Sequence, residues 1–121
     1  RDTDVVTRYG GEEFVVIMPQ TELRGACVFA ERMRVRVQEQ LGVTVSGGVT
    51  AALGDGESPH AVIERADAAM YAAKQAGRNC TFVHDGLKIE RQSPHVHEAE
   101  LMPQLQLAGV SEDEEATTTA S

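Results

Sequence analysis

Two carboxylates and two glycines crowd one short stretch, Arg8-Tyr9-Gly10-Gly11-Glu12-Glu13-Phe14. Glycine has no Cβ, so a phosphate or ribose can come close to the backbone there. Adjacent carboxylates at the start of a strand point to opposite faces. Glu12 or Glu13 can then meet a ligand or Mg²⁺ while the other does a second job. Mg²⁺ favours this chemistry, a few carboxylate oxygens completed by water and phosphate. The same residues would also make a solvated acidic hairpin. A second constellation is Asp67, Tyr71, Lys74 and Arg78, spaced by four, three and four so as to share one helix face. Lys74 as a point charge and Arg78 as a fork could grip a triphosphate, or could simply line a solvated face. His95 and His97 beside Glu98 resemble a metal pair but have no partners nearby in sequence.

These residues need elements to hold them. Val5–Tyr9 and Glu13–Met18 are β-rich runs separated by Gly10-Gly11, which reads as a tight hairpin. Pro19 is expected to end the second strand. A helix over Leu23–Gln40 follows, with Thr21 as a plausible N-cap. Its apolar stripe is Ala26, Ala30, Met33, Val37 and Leu41, with Glu31, Arg34 and Gln38 pointing elsewhere. Val43–Thr50 reads as a strand whose Gly47-Gly48 pair marks either a bulge or the close approach of another backbone. A second helix is capped by Ser58, opened by Pro59 and stopped by Gly77. Its buried stripe is Val62, Ala66, Ala69, Met70 and Ala73. Cys80–Val83 is a short closing strand. The order β-hairpin, α, β, α, β implies an α/β sandwich, helices packed on a sheet.

The 121 residues suit one domain. Apolar content of 41% supplies a core, and aromatics at 4% make it one of small aliphatic side chains. A net charge of -8 argues against binding a nucleic-acid polymer through its phosphates, though not against a mononucleotide. No run of about 18 apolar residues offers a membrane span, and no signal peptide opens the sequence. A first residue of Arg1 rather than Met suggests a piece of something longer. Cys27 and Cys80 fit neither zinc spacing nor a C-x-x-C motif. They read as buried, reduced thiols of a cytoplasmic protein.

Charge is uneven along the chain. Residues 1–85 carry 12 acids and 9 bases, and residues 86–121 carry 7 acids and 2 bases. With Pro94, Pro103 and the run Glu112-Asp113-Glu114-Glu115, the second stretch reads as a disordered, solvated acidic tail, with room for a short helix near Glu98–Leu107.

Taken together, the motifs resemble the GGDEF family, the diguanylate cyclases. Residues 8–14 match the signature in its GGEEF form. Thr44-Val45-Ser46-Gly47-Gly48-Val49 is similar to the family's T-x-S-x-G-V strand. Residues 66–79, from Ala66-Asp67 to Gly77-Arg78-Asn79, resemble its A-D-x-A-L-Y-x-A-K-x-x-G-R-N helix, with Met70 in place of Leu. The resemblance covers residues 1–85. It implies an α+β palm of the nucleotidyl-cyclase kind. It also implies condensation of two GTP, one on each copy of a homodimer, to cyclic di-GMP and pyrophosphate, with Mg²⁺ (or Mn²⁺). By that analogy Glu12 is metal ligand and candidate base, and Glu13 supports metal or nucleotide geometry. Gly10 and Gly11 admit the nucleotide, and Lys74 and Arg78 hold its β- and γ-phosphates. Arg1 and Asp4 match an R-x-x-D motif five residues before the signature. With Arg32, they would form an inhibitory product site.

The resemblance implies more than the chain brings. The family's domain starts with a strand and two helices that carry a metal Asp and the guanine-reading residues. On this reading residues 1–85 are the C-terminal part of the domain, the hairpin lacks a strand neighbour, and the 121 residues alone are inactive and marginally folded. Two other readings compete with a cyclase: a non-catalytic cyclic di-GMP receptor or scaffold, and a palm-type cyclase with another product.

Overall fold

The computed structural model describes residues 4–93 and 105–112. Six strands form one mixed sheet: β1 (Val5–Gly10), β2 (Glu13–Thr21), β3 (Val45–Thr50), β4 (Thr81–His84), β5 (Ile89–Arg91) and β6 (Leu105–Glu112). Their spatial order is β1-β2-β6-β3-β4-β5. Two helices, α1 (Leu23–Leu41) and α2 (Pro59–Gln75), cover the sheet. The expected hairpin, helix, strand, helix, strand succession is present, with the palm-like α/β architecture that the resemblance implies.

The alternation of β3 puts one helix on each face. Val49 joins Val16, Met18, Ala26, Cys27 and Ala30 in a buried cluster beneath α1. Its neighbour Gly48 faces the opposite way, against α2. A Cβ on Gly48 would stand 2.1 Å from the Ala66 carbonyl oxygen and 2.3 Å from the Met70 nitrogen. The paired glycines therefore mark a close helix approach. No register shift interrupts β3 against either neighbour, so the bulge alternative fails. On α2, all five residues of the expected stripe are buried, Val62, Ala66, Ala69, Met70 and Ala73. Ser58 Oγ accepts from the Ala61 amide, satisfying one of the orphan donors of the first turn.

Several local expectations give way. β2 continues through Pro19 to Thr21. Its register against β6 shifts between Ile17 and Gln20, so the missing proline N–H falls where the ladder is already irregular. Thr21 is thus strand rather than N-cap. The cap position belongs to Glu22, whose side chain makes no capping bond. Glu31, expected to face away from the core, is 5% exposed. The stripe of α1 loses its cover toward the C-terminal end, where Leu41 is 70% exposed.

The largest departure lies beyond residue 85. Ile89–Arg91 pairs with β4, and Leu105–Glu112 is a strand between β2 and β3, antiparallel to both. Apolar Leu105, Leu107 and Val110 give this stretch a strand-compatible pattern, and the facing edges of β2 and β3 supply backbone partners on two sides. The hairpin accordingly has a neighbour, β6. Part of the expected solvated tail is sheet, and positions 105–107 of the expected short helix are extended. Residues 94–104 and 113–121, with His95, His97, Glu98 and most of the acidic run, lie outside the described residues. No helix among the described residues is long and apolar enough to cross a membrane.

Candidate active site

The hairpin closes on the pair Gly10 and Glu13, which leaves Gly11-Glu12 as the two turn residues. The turn therefore sits one residue later than the Gly10-Gly11 expected from sequence. Gly11 has φ +52°, while Glu12 is not among the positive-φ residues. A positive φ at the first turn position alone is a hairpin-compatible arrangement that favours glycine. Arg8 Nε donates to the Gly11 carbonyl over 2.8 Å and braces the turn. A Cβ on Gly10 or Gly11 would meet nothing within 4 Å. The space above the turn is open to a ligand.

Glu13 and Val15 share a strand face, and Val15 packs with Val62 and Ala66 of α2. Glu13 thus faces the second helix, and Lys74 Nζ stands 3.9 Å from its Oε2. Two of the residues singled out from sequence, 61 positions apart in the chain (Glu13 to Lys74), are brought together. Glu12 is half-buried, and its Oε1 is out of water without a hydrogen-bond partner. An orphaned carboxylate oxygen at a turn costs about 1–3 kcal/mol unless something accepts its charge. It suits a divalent cation, and Mg²⁺ commonly takes only one or two protein carboxylates. Among the described residues no group of three or more acidic, His or Cys side chains could cage a metal. Glu12 is the residue here whose unpartnered oxygen fits that role.

Arg78 does not ride on the helix as its spacing suggested. α2 ends at Gln75, and Gly77, Arg78 and Asn79 follow with φ of +116°, +65° and +52°. Two successive non-glycine residues in the left-handed region cost on the order of 1 kcal/mol or more each. The Arg78 amide donates back to the Ala73 carbonyl at 2.9 Å. The Asn79 amide donates to Ser46 Oγ on β3 at 3.2 Å. Arg34 Nη1 of α1 donates to Asn79 Oδ1 at 2.9 Å. Arg34 is in turn forked by Glu31, with contacts of 3.1 Å from Nε and 2.5 Å from Nη2. This pairing, with burial opposing it, raises the Arg34 pKa further above its ordinary value.

Comparison with families of known proteins agrees with these motifs. The family model described as "Diguanylate cyclase, GGDEF domain" matches residues 1–80. The chain belongs to the GGDEF family. Relatives include the "Response regulator PleD" of Caulobacter vibrioides, 48% identical over 89 residues, covering 65% of this chain and 20% of that protein. "Diguanylate cyclase A" of Treponema denticola is 42% identical over 87 residues, covering 65% of this chain and 24% of that protein. "Diguanylate cyclase DgcP" of Pseudomonas aeruginosa is 44% identical over 87 residues, covering 65% and 13%. The chain thus spans a quarter or less of the length of these relatives.

Within this GGDEF chain the remaining described candidates, Asp4 and Arg32, sit on other parts of the fold. Asp4 is half-buried just before β1, and Arg32 is half-buried on α1 beside a shallow groove with Phe29, Met33, Arg36 and Val37. Arg1 lies outside the described residues. Sequence reasoning missed Arg34, Glu31 and Ser46, which hold the Arg78 turn. The i,i+3 charge pair of Glu31 and Arg34 was a readable signal. The apolar stripe of α1 leaves this pair out, so its burial is not visible in the helix period. Arg65 was missed as well. It forks Glu57, and its Nη2 donates to the Ala51 carbonyl at 2.7 Å, pinning the loop before α2. The Arg65 guanidinium, with the Leu53 amide, holds the Glu57 carboxyl down at about 2.

Proposed function

We propose that this GGDEF chain forms part of a diguanylate cyclase site that condenses two GTP to cyclic di-GMP and two pyrophosphates. The observation that carries this reading is Glu12 Oε1, without a hydrogen-bond partner at an open glycine turn, together with the Glu13–Lys74 pair. Lys74 and Arg78 hold the β- and γ-phosphates, and the open backbone at Gly10 and Gly11 admits the nucleotide. Glu13 orients Lys74 and keeps its ammonium at the turn. Glu12 would hold Mg²⁺ or Mn²⁺, which when bound supplies Lewis-acid charge to the phosphates and lowers the pKa of the attacking hydroxyl. Each ribose 3′-oxygen forms a bond to the α-phosphorus of the other GTP as the bond to pyrophosphate breaks. On this reading Glu12 is also the candidate base for the hydroxyl proton. Two copies face one another, because each site holds one GTP.

On this reading the reaction belongs in the cytoplasm, where GTP is. Arg1, Asp4 and Arg32 form the product-binding inhibitory site. The 121 residues alone turn over no GTP, since no residue here matches the family's guanine-reading groups. The test uses the protein at its natural length. Incubation with GTP and Mg²⁺ should yield cyclic di-GMP by mass spectrometry, and Glu12→Gln should remove the product. No product, with tight cyclic di-GMP binding lost on Arg1→Ala, would replace this reading with the receptor one.

A further inference from the structure

We infer that Arg34, on α1, is a positioning residue for Arg78, acting through Asn79; this rests on the reading of Arg78 as a phosphate ligand. The turn that carries Arg78 is locally unfavourable. Gly77, Arg78 and Asn79 are all left-handed, a conformation that glycine and asparagine tolerate and arginine adopts rarely. Something outside the turn must hold it, and Asn79 is where it is held. Its amide donates to Ser46 Oγ, its Oδ1 accepts from Arg34 Nη1, and its Nδ2 reaches Gln38 Oε1 at 3.5 Å. Two of these three tethers come from α1, which packs on the sheet face opposite α2.

Arg34 is itself immobilised. Its side chain is 13% exposed, and Glu31, at 7%, forks it. A largely buried ion pair is a poor source of stability, because desolvating both charges offsets their attraction. Its effect here is geometric. One edge of the guanidinium is fixed by Glu31, so the other presents Nη1 to Asn79 in a single orientation. The relay Glu31–Arg34–Asn79 thereby fixes the backbone of the residue before Asn79. That residue is Arg78, whose fork must meet phosphate oxygens. No side chain in the relay needs to touch substrate.

A double-mutant cycle in the natural-length protein tests this. Affinities for a non-hydrolysable GTP analogue and for GMP are measured in wild type, Arg34→Gln, Arg78→Ala and the double variant, with thermal melts of each. Arg34→Gln should weaken the triphosphate analogue about tenfold and leave GMP unchanged, and should raise KM for GTP more than it lowers kcat. The double variant should be no weaker than Arg78→Ala alone. Additive losses, or equal losses for GMP and the analogue, would overturn the inference while leaving the cyclase reading in place. Asn79→Gly provides a second route if Arg34→Gln fails to fold. Glycine keeps the positive φ and removes the tether, so wild-type analogue affinity in that variant also overturns the inference. A folded wild type that binds no analogue overturns the functional reading, and this one with it.

Discussion

Lys74 Nζ lies 3.9 Å from Glu13 Oε2, so the last turn of α2 and the signature hairpin meet across the face of the sheet. With the Lys74 side chain 12% exposed, the ammonium is drawn in over the turn rather than left in solvent. Lys74→Met should therefore act on function more than on stability. At 3.9 Å the ammonium is beyond hydrogen-bond distance of Glu13 Oε2, so losing this pair should cost folding little, whereas a lost charge-assisted phosphate contact costs about 1.5–3 kcal/mol. We expect kcat/KM to fall by about tenfold to a hundredfold in a steady-state pyrophosphate-release assay, with the melting temperature little changed.

Gly48→Ala should behave in the opposite way. Its Cβ would sit 2.1 Å from the backbone oxygen of Ala66. Backbone cannot swing aside as a side-chain tip can, so α2 must lift from β3. Overpacking of this kind costs about 1–3 kcal/mol or more. A thermal melt of the variant should show a clear drop, and an unchanged melt would mean that α2 sits farther from β3.

Acid sensitivity should trace in part to the Glu57–Arg65 fork. Glu57 has its pKa lowered from 4.5 to about 2 in the folded chain. A depressed carboxylate contributes stability that is complete above its unfolded pKa and is lost as pH falls through the folded one. Between about pH 4.5 and 2 the wild type should lose stability more steeply than Glu57→Gln. Urea midpoints across that range compare the two slopes directly, and parallel slopes would dissociate Glu57 from the acid limb.

Thiol chemistry offers a test of the core. Cys27 and Cys80 are both buried, and burial pushes the Cys27 thiol up to about 12. Only the thiolate reacts quickly. A chromogenic disulfide reagent at pH 8 should label neither cysteine in the native protein and both in denaturant. Prompt native labelling of Cys27 would show that the α1 face of the sheet opens readily.

Proline at Gly109 examines the central strand. Gly109 is opposite Val15 on one side and Gly48 on the other. Gly109→Pro removes a ladder donor in a strand paired on both edges, which should cost about 3 kcal/mol or more. The melting temperature should fall well below that of wild type. Retention of the wild-type melt would place 105–112 outside the sheet.

What the sequence revealed follows from how local each signal is. α2 was legible to its boundaries because Ser58, Pro59 and Gly77 are chemical punctuation, and its apolar stripe has one period throughout. α1 was legible as a helix but not as a surface. The side Glu31 faces depends on Arg34 and on Asn79, which is contributed from beyond α2, and a period count cannot see such a partner. The turn at Gly11-Glu12 was shifted by one residue because two adjacent glycines leave the register open. β6 was read as tail because net charge and Pro94 dominate its neighbourhood, while its pairing depends wholly on edges supplied by β2 and β3. At the candidate site, Glu12, Glu13 and Lys74 could be named from residue type, but the tethering of Arg78 through Asn79 could not.

The strand at the heart of the sheet is also the one that leaves the ribosome last among those described. β1-β2 and β3-β4-β5 form no ladder with each other except through β6. Val110 lies opposite both Phe14 and Gly47, so its two contacts reach back across very different lengths of chain. Within the described sheet the signature hairpin and the three-strand half each leave an open edge where β6 adds, an edge of the kind that can pair with a neighbouring chain. Their joining through β6 is a non-local closure of the kind that slows folding. Among the described residues, the two halves of the sheet are thus held together by a stretch without any of the motif residues.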